Sequence, residues 1–197
     1  NGRIFLSSGK NIYSYIPYLV NNNTHIIYTN KQYSLHNLRL NTKGELFFND
    51  KKNLFSISFN SKSKNTRTIF NLEKTNNEII YDYIIYKDKY FIFGKSIYVV
   101  DSDGKIIKKI SSPSKQYFYI TCEGENGYHH IITEKFFYTL NLNNYYIKKE
   151  ILLPDDLKDV AGFITISRAS SNTFWLSFNN KGLYQLKKDE KNNKYFF

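Results

Sequence analysis

The sequence predicts an all-β protein, either a β-propeller or a segment of one, with about five blades of four antiparallel strands and an incomplete first blade. Three observations predict this fold. Aromatic residues make up 18% of the 197 residues, and aromatic side chains suit a pleated, half-buried sheet. A strand–turn–strand pattern recurs five times. Its period of about 40 to 46 residues is the spacing of a propeller blade.

The repeated unit is clearest in the hairpin over residues 173–186. Apolar residues alternate through Phe174, Leu176 and Phe178, as expected for a strand with one buried face. The Asn-Asn-Lys-Gly turn contains residues that tolerate positive φ, and an apolar strand follows it. We expect this hairpin to form the second and third strands of a blade. The five copies align on one apolar residue in the strand after the turn, the anchor, which is Ile12, Leu54, Ile97, Phe137 and Leu183.

The rest of each period supplies one strand on either side of the hairpin. The predicted fourth, outermost strands cover residues 25–29, 66–72, 105–110, 145–153 and 194–197. The predicted first, innermost strands cover residues 33–40, 79–86, 116–122 and 160–167. The blades therefore span approximately residues 1–30, 31–73, 77–111, 115–153 and 160–197.

The phase of the repeat leaves the first blade without its innermost strand. Residues 1–30 begin with a second strand, and nothing after Phe197 supplies the missing one. Two interpretations remain open: a segment of a larger propeller, for example of about seven blades, or a five-bladed ring that closes imperfectly. The chain contains no Met, so we expect a piece of a longer protein.

The hairpin over residues 174–186 resembles the two-component-regulator propeller repeat. In that repeat a Trp between aliphatic residues precedes a short turn and a Gly-Leu-aromatic sequence, as Trp175 precedes Gly182, Leu183 and Tyr184 here. Residues 1–15 and 43–57 carry weaker copies. The Trp is replaced in the other copies by Phe5, Phe47, Phe91 and Ile131.

The resemblance implies an extracytoplasmic sensor region of a bacterial histidine kinase or hybrid two-component system, a family that detects glycans. It therefore implies a periplasmic, ligand-sensing and non-catalytic module. A kinase and any membrane attachment would lie in segments outside these 197 residues. A homodimer formed through the parent sensor is a further expectation, with ligand binding shifting it between signalling states.

One lysine precedes the anchor by two residues in every hairpin. Radial repetition would place these turns on one face, where a ring of ammonium groups favours an acidic ligand such as a uronic-acid or sulfated glycan. The alternative is that these are solvated lysines on exposed turns, inherited by duplication. Nucleic acid is not expected despite the net charge of +11, because the lysines are dispersed. The candidate ligand-binding residues are Lys10, Lys52, Lys95, Lys135, Asn179, Asn180 and Lys181.

The remaining reactive side chains predict no catalytic site, metal or cofactor. His129 and His130 are consecutive on a strand and point to opposite faces, so they are poorly placed to chelate one metal. Cys122 is expected to be a buried thiol, and Trp175 to pack between blades. The acidic residues in 154–159 are expected to form a solvated helical turn. The alternatives that stay open are a propeller enzyme acting on glycans, which needs converging carboxylates near the axis, and a protein-binding scaffold.

Overall fold

The computed structural model describes residues 4–15, 24–59, 64–72, 78–157, 164–178 and 181–197, which form five antiparallel sheets. Sheet 1 contains β1 (Ile4–Ser8), β2 (Asn11–Tyr15) and β3 (His25–Thr29). Sheet 2 contains β4 (His36–Leu40), β5 (Leu46–Asn49), β6 (Asn53–Phe59) and β7 (Lys64–Asn71). Sheet 3 contains β8 (Asp82–Tyr86), β9 (Lys89–Phe93), β10 (Ser96–Val100) and β11 (Ile106–Ser111).

Sheet 4 contains β12 (Ile120–Glu123), β13 (Tyr128–Ile132), β14 (Phe136–Asn141) and β15 (Tyr146–Leu152). Sheet 5 contains β16 (Ile164–Ser170), β17 (Thr173–Phe178), β18 (Gly182–Asp189) and β19 (Lys194–Phe196). In every sheet the strands pair in chain order, so each sheet is a meander. The predicted all-β fold is confirmed, as is the three-stranded first sheet. The described residues contain no helix long and apolar enough to cross a bilayer.

The first strands of sheets 2, 3 and 4 begin three or four residues later than predicted. The residues before them belong to the linkers, because their amides bond to the hairpin turn of the preceding sheet. Leu35 N donates to Gly9 O at 2.8 Å, Ile80 N to Lys51 O at 2.9 Å, and Phe118 N to Gly94 O at 2.9 Å. These bonds fasten consecutive sheets together at one end.

Four apolar clusters lie between the five consecutive sheets. In β13, alternation sends Ile131 into the cluster with sheet 3 and Ile132 into the cluster with sheet 5. Sheets 2, 3 and 4 each have a cluster on both faces, and β10 is buried over its whole length. The clusters include Ile12 and Phe48 (sheets 1 and 2), Phe47 and Ile92 (2 and 3), Phe91 and Tyr138 (3 and 4), and Phe137 and Phe174 (4 and 5).

The outer faces of the two end sheets are apolar and exposed. On sheet 1, Ile4, Leu6 and Ile26 are 45%, 55% and 57% exposed. On sheet 5, Trp175 is 38% exposed, so it does not pack between two of the described sheets, as was predicted for it. The reason is the strand period of two: Phe174 and Leu176 face sheet 4, and Trp175 therefore faces away.

Candidate functional site

The predicted lysines all lie in the turns between the second and third strands. We call the end of the sheets that carries these turns and the inter-sheet linkers the linker face, and the other end the opposite face. The main chain of the turn is structural: Asn30 N donates to Lys10 O, Leu72 N to Lys52 O, and Leu153 N to Lys135 O, each at 2.8 Å. A lysine therefore occupies a turn whose backbone holds the following linker.

Two of these lysine side chains are bound to the linkers. Lys10 Nζ donates to Lys31 O at 3.2 Å, and Lys52 Nζ donates to Glu78 O at 2.8 Å. The side chains of Lys95, Lys135 and Lys181 are exposed and make no hydrogen bond or ion pair with a described residue. Asn179 and Asn180 lie outside the described residues. On the linker face, two of the lysine ammonium groups are therefore bonded to linker carbonyls, and three have no such partner among the described residues.

A polar network joins the first strands of sheets 2, 3 and 4. Arg39 Nη2 on β4 donates to Asp82 Oδ1 on β8 at 2.9 Å, and Thr121 Oγ1 on β12 donates to Asp82 Oδ2 at 2.7 Å. Tyr83 N also donates to Asp82 Oδ1 at 2.8 Å. Asp82 is only 7% exposed, so its carboxylate is enclosed by these donors. The carboxylate therefore links sheet 3 to sheets 2 and 4 through charge-assisted hydrogen bonds.

A second part of this network uses amides and a tyrosine. Asn37 Nδ2 donates to Asn49 Oδ1 at 3.0 Å and to Tyr81 O at 2.7 Å. The Tyr83 hydroxyl donates to Asn37 O at 2.7 Å, and burial is the main reason that the pKa of Tyr83 is raised. These polar groups bond to one another, so they hold β4 of sheet 2 close to the start of sheet 3.

The two adjacent histidines face opposite sides of sheet 4, as predicted. The His129 ring stacks on Phe93 of sheet 3 with ring centroids 6.0 Å apart. The His130 ring meets Phe174 of sheet 5 edge-on at 4.5 Å, and its Nδ1 lies 3.2 Å from Thr139 Oγ1. Burial chiefly lowers their pKa values, to about 3 for His129 and about 4 for His130. No group of three metal-binding side chains occurs among the described residues.

The histidine pair predicts a loss of stability in acid. Both rings are neutral when folded at pH 7, but they take up protons near their ordinary pKa of 6.5 when unfolded. The free energy of unfolding should therefore fall as the pH drops below about 6.5, by up to ~1.4 kcal/mol per pH unit for each histidine, until the folded pKa values are passed. Urea denaturation at several pH values would measure this slope.

His129→Phe is the informative variant for the acid slope. His129 Nε2 is buried and finds no hydrogen-bond partner among the described residues, so an aromatic ring without that nitrogen should pack at little cost. We expect this variant to have a shallower acid slope than the parent. An unchanged slope would mean that His129 does not become protonated on unfolding in this pH range, contrary to its buried position.

Of two further sequence predictions, that for Cys122 needs adjustment and that of a short helical turn is confirmed where the residues are described. Cys122 is half-buried rather than fully buried; its Sγ lies 3.6 Å from Glu123 O, and burial is the main reason that the pKa of the thiol is raised. The acidic turn forms a short 3-10 helix over Asp155–Leu157, while Asp159 lies outside the described residues. Neither Cys122 nor the 3-10 helix lies in a cluster of catalytic side chains among the described residues.

An open groove of about 450 Å³ separates sheets 4 and 5 at the opposite face. The two sheets contact each other through Phe137, Phe174 and Tyr195, and His130 and Tyr195 form part of the groove wall. This groove was not predicted. The signal was present in β13, where Tyr128 and His130 continue the face of Ile132 as polar residues, but recognising it requires the pairing of three strands.

Solved structures share the fold of this chain. The N-terminal domain of Nup159 has a TM-score of 0.67 at 12% identity, covering 98% of this chain and 57% of that one. The extracellular domain of a one-component system from B. thetaiotaomicron has 0.69 at 12%, covering 96% and 27%. Virginiamycin B lyase from Staphylococcus aureus has 0.69 at 12%, covering 95% and 62%.

These similarities are similarities of fold. The neighbours are propeller-like proteins, and the chain spans roughly a quarter to three-fifths of their length. They include an extracellular domain of a one-component system and a lyase, so the shared fold is compatible with an enzyme and with a protein of another kind. No protein-family model matches the chain, and no curated protein matches it.

Proposed function

We propose that the chain is a non-catalytic, ligand-sensing module that acts outside the cytoplasm and recognises a carbohydrate. The observation that carries the non-catalytic part is the state of Asp82. Glycoside hydrolysis usually requires two carboxylates flanking the scissile bond. The described first strands carry two, and one of them, Asp82, is enclosed by Arg39 and Thr121, while the other, Glu123, is exposed at a strand end.

The extracytoplasmic sensor assignment is supported by two independent likenesses. The hairpin around Trp175 resembles the repeat of two-component-regulator propellers, and the fold resembles an extracellular domain of a one-component system. In this proposal the kinase or other output lies in the parent protein. Ligand binding would favour one of two arrangements of the sensor and so change the output.

A scaffold for protein contacts is the second candidate, and the end sheets favour it. Ile4 and Leu6 pair across β1 and β2 with Tyr15 and Tyr13, and Tyr13 pairs with Ile26 on β3. These side chains form one continuous apolar face with its aliphatic members about half exposed. Such a face is a typical protein-contact surface.

If the lysine turns form the ligand site, the protein should bind acidic glycans at the linker face. Reversing Lys52, Lys95 and Lys135 together to Glu should abolish binding of an anionic probe such as polygalacturonate, because long-range attraction to the linker face is inverted. The measurement is binding by calorimetry at low and high salt, since exposed charges are screened by ions. Lys52 also anchors to Glu78 O, so circular dichroism must show that the variant is folded.

The matched control reverses three exposed lysines in turns of the opposite face, Lys43, Lys105 and Lys191, with the same change in net charge. If this control weakens polygalacturonate binding as much as the linker-face variant does, the attraction comes from net charge alone. If neither variant changes the binding, the lysine turns have no part in it, and the linker-face site is wrong.

A further inference from the structure

The groove between sheets 4 and 5 is built by the cross-strand register of sheet 4. Tyr128 on β13 pairs with Asn141 on β14, and Asn141 pairs with Tyr146 on β15. These three side chains form one row across the sheet, at the end that carries the turns of the opposite face. The two tyrosines lie two strands apart, a distance of about 10 Å from the ordinary strand spacing. The groove volume of about 450 Å³ lies in the range of small-molecule sites.

The tyrosines of this row are exposed. Tyr128 is 45% and Tyr146 is 64% exposed, although both line a concave surface. Each ring offers a flat apolar face and a polar hydroxyl, the combination that suits a ligand with apolar C–H faces and polar edges. Sugar rings have this character. Since the two rings flank Asn141, one ligand could contact both while its hydroxyl groups reach the amide between them.

Two asparagine amides of the groove are fixed in orientation by the backbone. Asn141 Oδ1 accepts from Asn143 N at 2.9 Å and from Asn144 N at 3.3 Å. Asn144 Oδ1 accepts from Tyr146 N at 3.0 Å. The NH₂ groups of Asn141 and Asn144 make no hydrogen bond with a described residue. Because their oxygens are held, these donors are ordered before any ligand arrives, which lowers the entropic cost of binding.

The charges that line the groove are mostly paired. Lys148 Nζ lies 2.8 Å from Glu150 Oε2, and Glu125 Oε1 lies 3.4 Å from Arg168 Nη1. Lys188 lies over the ring of Tyr195, 5.7 Å from its centre. Local pairing of opposite charges removes the strong field that would attract an acidic ligand. The groove therefore differs in chemistry from the linker face with its exposed lysines.

We propose that this groove binds a neutral oligosaccharide, with Tyr128 and Tyr146 stacking on sugar rings and the amides of Asn141 and Asn144 donating to hydroxyl groups. The inference rests on the proposed carbohydrate recognition and names its site and ligand class. It places the site at the opposite face, between the outer parts of sheets 4 and 5. Exposed aromatic residues and ordered donors, rather than charge, then determine affinity and specificity.

The test titrates cello-, laminari-, xylo-, manno- and malto-tetraose into the whole chain by calorimetry, with polygalacturonate as the acidic comparison. The groove variant is Tyr128→Ala with Tyr146→Ala. The matched control is Trp175→Ala with Phe196→Ala, which removes two exposed aromatic rings from the outer face of sheet 5. Tyr146→Phe keeps the ring and removes only the hydroxyl. Circular dichroism checks that each variant is folded.

We expect at least one neutral tetraose to bind the parent, the control and Tyr146→Phe, and to bind the groove variant about tenfold or more weakly. Neutral binding that the groove variant retains overturns the groove site but leaves carbohydrate recognition standing. Binding of polygalacturonate alone also overturns the groove and leaves the proposed function. If no sugar binds the parent, both the groove and the carbohydrate proposal are wrong.

Discussion

Replacing Phe174 with Ala should lower the free energy of unfolding by about 3–5 kcal/mol, the usual cost of truncating a buried Phe. Phe174 is fully buried between sheets 4 and 5. Its ring centroid lies 5.6 Å from that of Phe137, 4.5 Å from that of His130 and 6.2 Å from that of Tyr195. The cavity left by the ring would lie where the two sheets meet, so little collapse can fill it. Urea denaturation followed by circular dichroism measures the change.

The matched control is the next residue along the strand. Trp175 is 38% exposed on the other face, so Trp175→Ala should cost less than Phe174→Ala, although it removes more atoms. A cost for Trp175→Ala as large as that for Phe174→Ala would mean that the outer face of sheet 5 is covered in solution. The exposed face described here would then be an interface.

The sequence was sufficient to predict the strand order of every sheet, because two signals agreed. The alternation of apolar residues identified the strands, and the repeat of about 40 residues assigned each strand a position in its sheet. The starts of β4, β8 and β12 were predicted too early. Residues such as Phe118 are apolar in either role, and only the hydrogen bond to Gly94 O shows that this residue serves the linker.

The face that Trp175 occupies could not be predicted from its neighbours in sequence. The alternation separates Phe174 from Trp175, but both faces of a blade are buried in the middle of a propeller. Only the position of sheet 5 at the end of the described array leaves one face exposed. The large aromatic ring was therefore assigned to the contact between blades on its chemistry alone, whereas it lies on the outer face of the last described sheet.

The candidate sites were predictable only where they followed the repeat. The lysine turns recur at nearly regular spacing, so their common face could be expected. The bonds from Lys10 and Lys52 to linker carbonyls depend instead on the path of the linkers. The groove depends on which residues pair across three strands. The contact between Arg39 and Asp82 joins residues far apart in the chain, and no local pattern marks either as a partner.

Replacing Asp82 with Ala should lower the free energy of unfolding by about 2–4 kcal/mol, because hydrogen bonds to a charged group contribute more than neutral ones and their partners stay buried. Thr121 Oγ1 and Tyr83 N lose their acceptor at once. The Arg39 side chain is 42% exposed and can turn to water, so Arg39→Ala should cost less than Asp82→Ala. Chemical denaturation of both variants measures the difference.

The exposed Asp103 provides the control, since Asp103→Ala removes a carboxylate from a solvated turn and should change stability by less than about 0.5 kcal/mol. The conservative variant Asp82→Asn separates the contribution of the hydrogen-bond acceptor from that of the negative charge. It keeps an acceptor for Thr121 but loses the charge that Arg39 binds, so it should be more stable than Asp82→Ala. A variant Asp82→Ala as stable as the parent would contradict the network, because three sheets would then be held together without their shared carboxylate.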